Sequence, residues 1–146
     1  MWSSDKAGFT LIEAVAVMLI IALMASLAIT VMPGTGRARL KAVALDTAAL
    51  LRRERLGAIL TGREREVAID GERRILIGDG GSTVALPPDV VVDLLGTTVP
   101  SKDRATIVRF HPDGASSGAV LTLSREKAGY EIRVNWYTGG VSIEAR

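Results

Sequence analysis

No cysteine occurs in the chain. Its absence excludes a disulfide framework, a thiolate zinc site and a cysteine nucleophile. It leaves the compartment open, because exported proteins can do without disulfides. His111 is the single histidine, and with no thiol beside it a transition-metal centre lacks its usual donors. Aromatics are scarce, two each of Phe, Trp and Tyr, too few for a base-stacking platform. Net charge is also small: 18 Lys and Arg against 16 Asp and Glu leave +2. A nucleic-acid footprint needs positive charge that is clustered, not balanced. Once the first 36 of the 146 residues are set aside, the remainder can build one small core.

What the chain does have is a long apolar run near its start. From Phe9 to Met32 the only charge is Glu13, and the other polar residues are Thr10, Ser26 and Thr30. As a helix this run reaches roughly 36 Å, enough to cross a hydrocarbon core of about 30 Å. No face of it is polar, so it does not read as an amphipathic surface helix. A cleaved secretory signal would be shorter and would end in small residues of the Ala-x-Ala kind. Pro33 and Gly34 then interrupt or kink the helix. Glu13 needs a reason, because an ionisable group in a membrane segment costs about 3 kcal/mol at the centre and less near an interface. No basic residue lies within helical reach inside the run. Its counter-charge is either Lys6 upstream or a new amino terminus supplied by a neighbouring subunit.

The stretch "KAGFTLIEAVAVMLIIALMASLAI" resembles the amino terminus shared by type IV pilins and type II secretion pseudopilins. The resemblance implies that a prepilin peptidase cuts after Gly8 on the cytoplasmic side and that Phe9 becomes the N-methylated first residue. Glu13 then takes the fifth place of the mature chain, where the family keeps its glutamate. The apolar segment would serve first as membrane anchor and then as the core helix of a filament. The flanking charges pull the other way. Lys6 precedes the run and Arg37, Arg39 and Lys41 follow it, so the positive-inside rule would hold the following domain in the cytoplasm, whereas the resemblance puts it in the periplasm.

Beyond Gly36 the pattern is helical. Leu40, Val43, Ala44, Thr47, Leu50, Leu51 and Ala58 draw one apolar stripe, and Gly62 is a natural stop. Arg52, Arg53, Glu54 and Arg55 read as a solvated face with local ion pairs. From Glu64 the period changes to two. "REVAID" and "RRILIG" flank Gly71-Glu72 as a hairpin. "GDGGS" is a loop without the lysine and helix of a phosphate cradle. "LPPDVVVDLLG" holds a short strand, and "ATIVRF", "GAVLTLS", "YEIRVNWY" and "GVSIEA" supply four more. Strands gathered after one long helix predict an α+β fold with an antiparallel sheet. The predicted organisation is residues 1–8 as leader, 9–33 as membrane or filament-core helix, 34–62 as its amphipathic continuation and 63–146 as a β-rich domain.

The carboxyl-terminal part narrows the family. "FHPDGASSGAVLTL" followed by "YEIRVNWYTGGVSI" resembles the signature of the H-type minor pseudopilin group. The positions that match are Phe110, Pro112, Asp113, Gly114, Ser116, Ser117 and Gly118, then Thr138 and Gly139. Pro112-Asp113-Gly114 is a turn initiator, and the serines can bond loop backbone left unpaired by the sheet. A related branch holds the FimT-like minor pilins of type IV pili, some associated with DNA uptake. That branch usually has arginine directly after the Thr-Gly pair, and here Gly140 stands there, which weighs against nucleic-acid contact.

The enzymatic readings are weak. His111 lies near Asp113, Ser116 and Ser117, but a turn does not by itself provide a catalytic triad. Asp79, Asp89, Asp93 and Asp113 could contribute to a calcium site, although the resemblance assigns that ion to the major pseudopilin. The expectation is therefore a minor pseudopilin without cofactor or catalysis, near the tip of the type II secretion pseudopilus. Its partners would be the other major and minor pseudopilins, prepilin peptidase and the inner-membrane assembly platform. Before assembly it would sit in the bacterial inner membrane as a single-pass protein with a periplasmic domain. The alternative is a FimT-like type IV pilus minor pilin active in pilus initiation or DNA uptake.

Overall fold

The computed structural model describes residues 10–31, 36–95 and 104–146, and in the first helix the side chains up to residue 26. Gly8, Phe9, the leader, Pro33 and Gly34 therefore lie outside the described residues. The chain divides into two compact units, Met1–Pro33 and Gly34–Arg146.

The first unit contributes α1, Leu11–Val31. Its large described side chains, from Leu11 to Met24, are exposed. Among the described residues no helix is long and apolar enough to cross a membrane.

The second unit begins with α2, Gly36–Thr61. Every residue of the stripe read from the sequence is buried, and Ala48 and Glu54 join it. The helix stops at Thr61, and Gly62 takes the left-handed conformation (φ 62°) that closes a helix. Eight strands follow: β1 Arg65–Asp70, β2 Ile75–Gly78, β3 Thr83–Ala85, β4 Val91–Leu94, β5 Arg104–Phe110, β6 Ala119–Arg125, β7 Ala128–Val134 and β8 Val141–Ala145. They form two antiparallel four-stranded sheets, β3-β2-β1-β5 and β4-β6-β7-β8. The α+β class stands, with the strands distributed over two sheets against one helix. Leu40, Leu51, Val67, Leu76, Phe110, Leu121 and Ile132 all pack into the single core this creates. Burial of that apolar surface is the main stabilising term.

Two local readings are corrected. The first hairpin turns through residues 71–74 rather than through Gly71-Glu72 alone, since Asp70 pairs with Ile75. Asp70 Oδ1 accepts the Arg73 N–H at 2.9 Å, and Arg74 adopts φ 50°, so an aspartate-capped turn outcompetes two further strand residues. The short β3 was not foreseen, because three residues carry too little periodicity to register.

The larger correction concerns residues 52–55: Arg52 and Arg53 are exposed, as a solvated face requires, but Glu54 and Arg55 are turned inward. Glu54 is wholly buried. Its Oε2 lies 3.3 Å from Arg65 Nη1 on β1, and the Gly80 N–H donates to its two oxygens at 3.2 and 3.1 Å. The glycines of "GDGGS" are what admit it. A Cβ at Gly78 would lie 2.5 Å from Glu54 Oε1, and one at Gly80 would lie 2.8 Å from the same atom. The loop thus cradles an anion, but the anion is the chain's own carboxylate. Arg53 Nη1 donates to Ser82 Oγ in the same loop at 2.9 Å, and Arg52 Nη2 donates to the Val141 carbonyl of β8 at 3.0 Å. Side chains read as surface ornaments are ties from α2 to both sheets.

Removing one member of a buried ion pair leaves the other without compensation. Arg65→Met is therefore expected to destabilise residues 36–146 by about 3 kcal/mol, measured by urea denaturation. A change under about 0.5 kcal/mol, the scale of an exposed pair, would show that Glu54 draws its support elsewhere.

Candidate assembly site

Three features present chemistry at the surface: the start of α1, a pair of interlocked turns, and the outer face of α2. At the first, Thr10 stands just before α1 and accepts the Glu13 N–H through its hydroxyl at 3.3 Å. Its carbonyl also accepts the Glu13 and Ala14 N–H groups at 3.0 and 3.2 Å. Thr10-Leu11-Ile12-Glu13 is thus the T-x-x-E pattern of a capped helix start. An acid there faces the positive end of the helix dipole, which stabilises it locally. Sequence reading asked what offsets the Glu13 charge and overlooked this part of the answer, although the pattern was legible. The roles of Gly8 and Phe9 fall outside the described residues.

The second feature gathers the residues of the carboxyl-terminal motif. Gly114 N–H donates to the His111 carbonyl at 2.9 Å, with Pro112 and Asp113 at the corner, and Asp113 Oδ1 accepts the Ala115 N–H at 2.9 Å. Ser117 Oγ accepts the Arg109 N–H at 3.1 Å. Ser116 is buried; its hydroxyl donates to the Asn135 carbonyl at 3.0 Å and accepts the Gly118 N–H at 3.1 Å. The serines do bond loop backbone, as their residue type predicted. In the second turn, Asn135 Oδ1 accepts the N–H groups of Tyr137 and Thr138 at 2.9 and 3.0 Å. Phe110 lies wholly buried beneath.

Arg55 of α2 joins the two turns. Its Nε donates to the carbonyls of Gly114 at 3.1 Å and Thr138 at 3.0 Å. Gly139, at φ 62°, lies so close that a Cβ would press into the Gly114 carbonyl and fall 2.8 Å from Arg55 Nε. Two segments far apart in sequence are therefore one structural unit, held by an arginine that the sequence reading missed. Nothing local could have marked it, because its partners are 59 and 83 residues away. The turn exposes Trp136 and Tyr137, whose rings meet edge to face with centroids 5.6 Å apart.

The third feature is a second apolar stripe on α2. Ala38, Ala42, Leu45, Ala49, Leu56 and Leu60 are exposed, with Leu60 at 75 %. They are spaced three or four residues apart, with Arg52 filling the step between Ala49 and Leu56, so they share one face opposite the buried stripe. A helix with two apolar faces and only one covered is suited to packing against another helix.

The chemistry weighed from sequence does not assemble here. His111 Nδ1 lies 2.8 Å from Glu64 Oε1, while both serines are committed to backbone. Asp79 Oδ2 accepts the Glu66 N–H at 2.7 Å, and Asp89 pairs with Arg125 at 2.8 Å. Among the described residues, no three His, Asp or Glu side chains gather to hold a metal. Two carboxylates titrate low. The hydrogen bond from Arg133 holds Glu131 below its ordinary value, against the opposing effect of burial and with help from the Arg133 and Arg146 charges. The hydrogen bonds from Arg109 and then Thr106 do the same for Glu66.

Comparison with known proteins places this geometry. Residues 3–29 match the prokaryotic N-terminal methylation motif. The structure resembles the minor pseudopilin EpsH from the type 2 secretion system of Vibrio cholerae, with a TM-score of 0.55 and 17 % identity, over 72 % of this chain and 95 % of that one. It resembles the type IV minor pilin FimU of Pseudomonas aeruginosa nearly as well, with a TM-score of 0.54 and 16 % identity, over 77 % and 92 % of the two chains. These likenesses define the class: a pilin-like fold. Sequence goes further. The chain is 33 % identical over 136 residues to type II secretion system protein H of Xanthomonas campestris pv. campestris, covering 92 % of this chain and 80 % of the relative. It belongs to the type II secretion system protein H family.

Arg55→Ala is expected to cost about 2 kcal/mol, the scale of hydrogen bonds from a charged donor. It should also speed deuterium exchange at residues 135–140 while leaving β1 unchanged. Equal exchange in both segments would remove the assigned link between the turns.

Acid should unfold the domain for a definable reason. A carboxylate whose folded pKa is depressed stabilises the fold above its unfolded value, and that stabilisation is lost as pH falls through the folded pKa. For Glu131 and Glu66 the loss begins near 4.5 and continues below it. The melting temperature followed downward from neutral pH should therefore fall in this window, and less steeply in Glu131→Gln. An unchanged slope in that variant would contradict the assignment.

Proposed function

We propose that the chain is a minor pseudopilin, a structural subunit near the tip of the type II secretion pseudopilus, with no catalytic activity of its own. The observation that carries this reading is the 33 % identity to type II secretion system protein H across 92 % of the chain. The methylation motif over residues 3–29 supports it at the amino terminus.

In this reading, prepilin peptidase removes residues 1–8 after Gly8 and methylates Phe9. The apolar run from Phe9 to Met32 first anchors the protein in the bacterial inner membrane, with the sheet domain periplasmic. The mature helix then leaves the bilayer, with the inner-membrane assembly platform acting on it, and enters the pseudopilus among other major and minor pseudopilins. Lipid and neighbouring helices are about equally apolar, so burial alone discriminates little between them. Specificity needs polar or steric matching. Glu13 supplies the first by pairing with the charged amino terminus of an adjacent subunit, an attraction strengthened by low dielectric. A wrong axial register leaves both charges unpaired and costly. The exposed stripe from Ala38 to Leu60 supplies the second, since its small residues let another helix approach closely.

The fold likeness to FimU fits a type IV pilus minor pilin equally well, but the extended sequence identity favours secretion. Gly140, in place of the arginine usual in the FimT-like branch, agrees.

Two substitutions test the reading in cells carrying the complete apparatus. Gly8→Leu should leave an uncut precursor, and a mature chain beginning at Phe9 in its mass spectrum would refute the leader assignment. Glu13→Ala should be cleaved and folded yet cross-link to the other pseudopilins about tenfold less, as expected when about 1.4 kcal/mol of pairing is lost. Undiminished cross-linking and secretion would remove the register role.

A further inference from the structure

The basic residues after the apolar run conflict with the positive-inside rule if the domain is periplasmic, and nothing in the assembly reading uses them. Arg37, Arg39 and Lys41 occupy the first turns of α2 and are exposed. The fold brings a second basic segment to the same end, the β6–β7 turn. An open cavity of about 300 Å³ lies between Gly36, Arg37 and Leu40 on one side and residues 125–128 on the other. Arg125 reaches into it. Its guanidinium rests against the helix start so closely that a Cβ on Gly36 would come within 2.5 Å of Arg125 Cζ. Lys127 is exposed at the turn beside it. Two acids share the region: Glu126 lines the cavity, and Asp89 Oδ2 pairs with Arg125 Nη2 at 2.8 Å. Against them stand Arg37, Arg125 and Lys127 in the lining, on two independent elements, with Arg39 and Lys41 on the same turns of α2.

From this arrangement we infer that the cleft between the start of α2 and the β6–β7 turn binds the phosphate of an anionic phospholipid headgroup. The chemistry matches. Arg37, Arg125 and Lys127 converge on one cavity, and the positive end of the α2 dipole faces it. The cavity is at the lower end of the size range for small-molecule sites, adequate for a phosphate and its glycerol. The lipid, rather than a dissolved anion, is the occupant because the basic segment directly follows the apolar run in the chain. With that run in a bilayer, Arg37, Arg39 and Lys41 come to the headgroup level, where each basic residue adds attraction to an anionic surface. The bases then act as headgroup ligands on the domain side and not as an orientation signal. This inference rests on the anchoring proposed above. It adds a membrane-resting state in which the domain is held to the bilayer before assembly.

The full chain reconstituted in lipid nanodiscs provides the test, read by deuterium exchange of peptides covering residues 36–41 and 125–128. Discs of phosphatidylcholine alone are compared with discs containing phosphatidylglycerol. Exchange in both segments should slow at least about fivefold with the anionic lipid, the effect expected of one basic residue at such a surface, and recover in high salt. The protection should vanish in Arg37→Gln/Lys41→Gln/Lys127→Gln, persist in Arg37→Lys/Lys127→Arg, and persist in Arg63→Gln, which removes a base beyond the other end of α2. Unchanged exchange at residues 47–58 reports that each variant is folded. Equal exchange in the two kinds of disc overturns the proposal alone. So does protection reproduced by inorganic phosphate in phosphatidylcholine discs, which marks a free-anion site. Protection that appears only when other pseudopilins are added overturns it in favour of an acidic protein partner. A chain that fails to enter the discs overturns the anchoring, and this proposal with it.

Discussion

Both sheets depend on one helix, and the dependence is concentrated in two adjacent residues of α2. Glu54 reaches the loop between β2 and β3 and the arginine of β1, which ties down the first sheet. Arg55 reaches the turns after β5 and β7, which ties the end of the second sheet to the end of the first. Apolar burial makes the unit compact, but it is non-directional and would tolerate sliding of the sheets along the helix. A buried carboxylate with one donor loop and one guanidinium does not tolerate it, because any displacement leaves charge unpaired in a dry interior. The glycines at 78, 80 and 139 are the steric counterpart, each placed where a side chain would displace the partner of Glu54 or Arg55.

This internal use of charge bears on assembly. With Glu54 and Arg55 directed at the chain's own sheets, the stripe opposite the buried face of α2 holds alanines and leucines with Arg52 among them. In the proposed assembly, the polar contact is Glu13 at the start of α1, and the interlocked turns supply shape. The cap at Thr10 fixes the first turn of α1, to which Glu13 belongs.

The family of pilin-like proteins is defined by a shared amino terminus and a shared fold, and neither separates secretion from pilus biogenesis. EpsH and FimU are matched almost equally by shape. The distinction comes from residues spread along the chain, visible as the identity to type II secretion system protein H.

Much of the architecture was legible in the sequence, because the features that report it are local. A run of this length with Glu13 as its one charge favours a helix, and α1 spans Leu11–Val31 of it. The spacing of Leu40, Val43, Thr47 and Leu51 named the buried face of α2, and Pro112-Asp113-Gly114 named its turn through backbone preferences alone. Tertiary structure decided what depends on distant partners. It showed that Glu54 is buried and Arg55 is a clamp, although both sit in a charge run that looks solvated. It divided the strands between two sheets, and it joined the turns at Gly114 and Gly139. The physical reason is common to all of these. Periodicity and turn propensity are properties of neighbouring residues, whereas the fate of a charge is set by what the fold brings opposite to it.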